Sequence, residues 1–163
     1  MFIADMHGQY STSITYNQYF GMVDVQGEIK KAIIAKSQSK AESAANLRKS
    51  IIADMRSGRH SCLFIDTMIA MWKDYNVDDQ FTKFFDYDYI TNNDNKKQWL
   101  KDDEDYDNNK NQGFFEVSKD WFIAILYNNS SEYSDDEMVQ NNLDEINEIF
   151  GVDKFRKIYI KPE

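Results

Sequence analysis

Several things are scarce in this chain, and each scarcity excludes something. Of its 163 residues one is cysteine, Cys62, so no internal disulfide can form and a reducing setting, the cytoplasm, is the expectation. Only His7 and His60 are histidines, and with a single cysteine they fall short of the three or four N or S ligands that a zinc site takes. The longest apolar run is WFIAILY at 121–127, against the ~20 residues a membrane-spanning helix needs. The opening MFIADMHG has no basic segment followed by an apolar one, so no signal peptide is expected. GxxxxGK[ST], GxGxxG and GxSxG are all missing, which leaves phosphate cradling and esterase chemistry without a motif.

What is present is enough to fold. The chain is 42% hydrophobic, with 11 Phe and 10 Tyr, more than a disordered polypeptide carries, and its length suits one domain over 1–163.

Charge is unevenly distributed. Residues 1–60 carry a net +3 and residues 61–163 a net −12. Between positions 120 and 153 there are nine carboxylates and no Lys or Arg, so sequence neighbours do not neutralise them. Such a surface repels nucleic acid and membranes' anionic faces and attracts basic partners.

The spacing predicts a mainly helical α+β domain with a small antiparallel sheet formed by the N- and C-terminal strands. FIADMHGQYSTSITYNQYF reads as two short strands around a turn at His7-Gly8. Ile29, Ile33, Ala41, Ala44, Leu47, Ile51 and Met55 recur at helical intervals over 26–57, giving one long basic helix, projecting or dimer-forming, or two stacked ones. Gly58 supplies its stop. Ser61 is then the expected cap of a helix bearing Phe64, Met68, Met71, Trp72 and Tyr75. A short helix is expected at 96–101, and an acidic, Asn-rich loop at 102–113. WFIAILY fits a buried strand or a core helix equally. Ser134 and Glu137 form a capping box for a helix with Val139, Leu143, Ile146 and Phe150 inside and Gly151 at its end. KFRKIYI is expected as a terminal strand.

Three patterns bear on chemistry. In DDEDYDNNKNQGFFE, at 102–116, Asp105, Asp107, Asn109 and Glu116 fall at positions 1, 3, 5 and 12 of a calcium-binding loop, but position 6, which needs glycine, is Lys110. A solvated loop is the plainer reading. FIADMHG is similar to the opening DxHG of calcineurin-like metallophosphoesterases, through Asp5, His7 and Gly8; the GDxxDRG and GNHE motifs that complete such a centre are absent, so the likeness stops there. Cys62 and His60, two apart on the expected helix, would face different ways, which makes Cys62 a small core residue. Asp5, Asp24 and Asp66 are carboxylates that a small enzyme could use, but nothing in the sequence singles them out.

The functional expectation is a non-enzymatic acidic protein that inhibits or regulates by docking on a basic, nucleic-acid-binding site of a partner protein, as some phage and mobile-element proteins do. Asp102, Asp103, Glu104, Asp105, Asp107, Glu132, Asp135, Asp136, Glu137, Asp144, Glu145 and Glu148 are the expected contact residues. No cofactor is expected on that reading; a calcium module at 105–116 and an enzyme with an unrecognised carboxylate site are the alternatives. Lys30, Lys31, Lys36, Lys40, Arg48, Lys49, Arg56 and Arg59 give the long helix a basic surface, solvated or paired with the acidic half.

Overall fold

The structure, a computed structural model, describes residues 1–5, 13–14, 16–65, 86–128, 136–150 and 155–160. Its strands are β1 (Phe2–Asp5), β2 (Phe20–Asp24), β3 (His60–Ile65), β4 (Ile123–Asn128) and β5 (Lys157–Ile160). They form one sheet in the order β2-β3-β4-β1-β5, and every pairing is parallel.

This overturns the expected mainly helical α+β domain with a small antiparallel sheet. The terminal strands β1 and β5 are neighbours, but they run the same way, with Phe2 opposite Lys157 and Asp5 opposite Ile160. Four-residue strands carry no record of their direction. The better signal was continuity: HSCLFI and IAILYN are apolar almost throughout rather than alternating, as strands covered on both faces are.

Parallel neighbours need crossovers, and the helices supply them. Helix α1 (Val25–Ile29) runs into a π-helical turn, Lys30–Ile34, and the chain then breaks at 35–39, where Lys36 adopts φ 51°. Helix α2 (Lys40–Ser57) starts afresh from a capping box: Glu42 N–H donates to Ser39 Oγ at 3.2 Å and Ser39 N–H to Glu42 Oε2 at 2.7 Å. The stretch 26–57 is therefore two segments. Nor does α2 project. Leu47, Ile51, Ile52 and Met55 are each buried to within 2% against the sheet, worth about 1.5–3 kcal/mol apiece. Gly58, at φ 71°, closes α2 in the left-handed conformation its position suggested.

Ser61 caps nothing: it lies in β3, and the rest of the helix expected after it falls outside the described residues, as does the turn at His7-Gly8. Residues 13–14 are helical, so Ile14 does not lie in the second strand expected there. The other helices are α3 (Tyr87–Thr91), α4 (Lys96–Trp99) and α5 (Asp136–Phe150). WFIAILY is the strand β4.

The sheet separates two apolar clusters. On one side Ala4, Val23, Leu63, Ile65, Ile125 and Tyr127 meet α2, the aromatics Trp99, Phe115 and Trp121, and Ile146 of α5. On the other, Ile3, Cys62, Ala124 and Leu126 meet Ile14, which belongs to the β1–β2 connection. That connection thus brings Ile14 to one face, and the described buried residues of the following three lie on the opposite face. Right-handed crossovers require this, because the chain first moves across the sheet to β2 and then returns.

Candidate functional site

A sheet with all strands parallel has one edge that collects every carboxyl end. In open α/β sheets ligands bind in the crevice outside those ends, at the point where neighbouring strands send their connections to opposite faces. Here that point lies between β1 and β4. The last residue of β1 is Asp5 and the last of β4 is Asn128, and the two are directly paired in register.

β2 also ends on an acid. β2 closes on Asp24, opposite Phe64, while β3 closes on Ile65, opposite Tyr127, with Asp66 next in the sequence and outside the described residues. FIAD, FGMVD and LFID are one pattern in the sequence, an apolar run followed by an acid; in β1 and β2 that acid is the last strand residue, while β3 ends one residue before it. Asp5, Asp24 and Asp66 were visible as scattered carboxylates; what the sequence did not show is that each apolar run is a strand of one parallel sheet.

Asp24 has local employment. Its Oδ1 accepts the Gly27 N–H at 2.8 Å and starts α1, and a Cβ on Gly27 would stand 2.1 Å from Oδ2, so a side chain there would have to push the exposed Asp24 carboxylate aside.

The acidic loop behaves differently. Glu104 is buried and ion-paired with Arg48, itself 8% exposed, whose guanidinium also donates to the Trp99 carbonyl. Arg56 donates to the carbonyls of Tyr106 at 2.9 Å and Glu104 at 2.8 Å and stacks 3.7 Å over the Tyr106 ring. Burial alone would raise the Glu104 pKa, but Arg48 and the Lys101 N–H more than reverse it and hold the carboxyl below its ordinary range. Two arginines of the expected basic surface are thus turned inward to clamp the loop on α2.

Asp105 Oδ1 accepts Lys96 Nζ at 3.0 Å and the Phe115 N–H at 3.2 Å. Asp107 accepts the N–H groups of Asn109 and Asn111 and the Asn111 carboxamide, each at 2.8 Å, which keeps its pKa low. Lys110, at φ 64°, takes up the left-handed turn that a calcium loop assigns to glycine, but here it belongs to a hairpin closed by the Tyr106–Gln112 bridge. Asn109 and Glu116 are exposed, and among the described residues no three His, Cys, Asp or Glu side chains are grouped to share a metal ion.

Of the remaining expected contact residues, Asp102, Asp103, Glu137, Asp144 and Glu148 are exposed and Glu145 is half-buried. Asp144 accepts a bond from Gln140 at 2.8 Å. Asp136 begins α5; Glu132 and Asp135 lie outside the described residues. Lys31 of the π-helical turn pairs with Glu28 of α1.

His60 and Cys62 share a face after all, since β3 is a strand and not a helix. That makes no nucleophilic pair: burial pushes the Cys62 thiol up to about 12, and His60 stacks on Phe122 with ring centroids 3.9 Å apart. Among the described residues no helix is long and apolar enough to cross a membrane.

No protein-family model, curated protein or solved structure matches the chain.

Proposed function

We propose that this protein is a small α/β ligand-binding domain, of the kind that houses an enzyme site, and that its ligand occupies the crevice at the carboxyl ends of β1 and β4. One observation carries the reading: Asp5 and Asn128, the polar residues that terminate two otherwise apolar central strands, are register partners at the topological switch point. Asp5, with Asp66 following β3 in the sequence, supplies negative charge; Asn128 supplies a carboxamide that both donates and accepts. Such a set takes a small polar ligand that presents positive charge, either its own ammonium group or a divalent cation carried with its phosphates, which magnesium binds through one or two carboxylates plus the ligand.

The test is a thermal-shift and calorimetric screen of the full chain against amines and against phosphorylated small molecules with and without magnesium. A ligand that stabilises the wild type should lose at least tenfold in affinity for Asp5→Asn and keep it for Asp103→Asn. Equal binding by both variants, or no ligand in either class, sinks the reading.

A second reading has its own support. Asp102, Asp103, Glu137, Asp144 and Glu148 are exposed, and α5 lies in the segment of 120–153 that has no basic residue. They suit docking on a basic protein surface, with Glu104, Asp105 and Asp107 removed from the contact set by their internal partners. Binding to a basic partner domain should weaken steeply between 50 and 300 mM salt, as roughly scaled by the shrinking Debye length; affinity independent of salt removes it.

A further inference from the structure

The opposite, amino-terminal edge of the sheet holds a carboxylate in unusual confinement. Asp54, in the last turn of α2, leaves 4% of its side chain exposed, and its Oδ1 meets Arg59 Nη2 at 2.9 Å. Arg59 itself is 45% exposed. The carboxylate rests on the backbone of β2: a Cβ on Gly21 would stand 1.8 Å from Oδ1. The Ser61 hydroxyl of β3 lies near enough to favour the charged form without completing a hydrogen bond.

The surrounding turn is tied to the same residue. The Arg59 N–H donates to the Asp54 carbonyl at 2.9 Å, Ser57 Oγ donates to that carbonyl at 3.1 Å, and Arg59 Nε donates to Ser57 Oγ at 3.1 Å. Arg59 is thus hung from Asp54 by its backbone and drawn over it by its side chain. An ionised carboxylate has about four lone-pair sites to satisfy, and here it meets one edge of a half-solvated guanidinium, with the Ser61 hydroxyl nearby but not bonded to it.

We propose that Asp54 is a proton-operated latch between α2 and the amino ends of β2 and β3: as the neutral acid it rests on Gly21 and lets Arg59 swing into solvent, and as the carboxylate it pulls Arg59 down over the turn. Burial is the larger influence and pushes the Asp54 carboxyl up to about 6, against the opposing pull of Arg59 and Ser61. Facing it are Arg59 from the turn, Ser57 from its own helix, the bare backbone of Gly21 from β2, and Ser61 and the Cys62 thiol from β3, whose proton the Asp54 charge helps retain.

A carboxyl whose folded pKa is raised stabilises the fold fully below its unfolded pKa, and that contribution is lost as pH rises through the folded value. Urea unfolding of the wild type and Asp54→Asn between pH 4 and 8 should therefore show the ratio of their unfolding constants rising roughly tenfold per pH unit from about 4 to about 6 and then levelling. A ratio flat across the range, or falling with pH, overturns the latch. Because Asp54→Asn can fail to fold, the same proton is also read in the wild type by carbon-13 NMR of its aspartate carboxyls. The Asp54 resonance should titrate near pH 6, and Arg59→Gln should move that midpoint higher; a wild-type midpoint below 4, or no movement in the variant, overturns the proposal.

Discussion

Two acid-bearing regions of this molecule look alike in composition and differ in use. The loop at 102–116 has the denser charge, yet Glu104 is tied to Arg48 of α2, Asp105 to Lys96 of α4, and Asp107 to Asn109 and Asn111 within the loop, so these acids serve the loop's own structure. The carboxyl edge of the sheet has fewer acids, at the ends of strands far apart in the sequence, with Asp5 ending β1 beside the end of β4. Density of charge follows from local sequence. Which strand ends lie side by side follows from strand order.

The comparison breaks most visibly at the clamp. Arg48→Ala leaves Glu104 buried without its cation and should cost about 3–5 kcal/mol by urea denaturation; a loss under about 1 kcal/mol would mean that the loop's acids are solvated like any surface charge. Gly21→Ala forces a methyl into the Asp54 carboxylate and should cost about 1–3 kcal/mol, most of it recovered in the double variant with Asp54→Ala. Without recovery, the close approach of β2 to α2 is not what requires glycine there.

Acid sharpens the same contrast. Because Glu104 has its pKa lowered, its contribution is present above the unfolded value and is lost as pH falls through the folded one. Wild type should lose stability relative to Glu104→Gln as pH drops below the ordinary carboxylate range; a gap that widens on going down in pH contradicts the clamp. The smallest effect expected is that of calcium: the loop's carboxylates already have donors, so millimolar calcium against chelator should leave the melting temperature within about 1 °C. A rise of several degrees would return 105–116 to the status of a metal site.

Local elements were largely legible in the sequence. The helical spacing from Ala44 to Met55, Gly58 as a stop, the helix near Lys96, the helix through Leu143 and Ile146 and the final strand KIYI are all where periodicity and capping put them, because those signals act within a few residues. The β3 segment was misread as a helix start: Ser61 is a good cap in isolation, but the apolar run around it is satisfied by strand neighbours that the local sequence does not reveal. Fold class failed for a related reason. Whether β1 and β5 pair parallel or antiparallel depends on the crossovers that connect them, not on the four residues of each.

By itself the sequence determined that a lone cysteine can form no internal disulfide, the asymmetry of charge along the chain, the stop of α2 at Gly58 and which residues are apolar enough to be buried, since each is a property of composition or of near neighbours in the chain. Only the tertiary structure decided that Glu104 and Arg48 neutralise one another across 56 positions, that Asp54 is enclosed, and that Asp5 and Asn128 are register partners. Those pairings are made by sheet order and by helices crossing over it, and a contact between residues more than a hundred positions apart leaves no periodic trace in the chain that makes it.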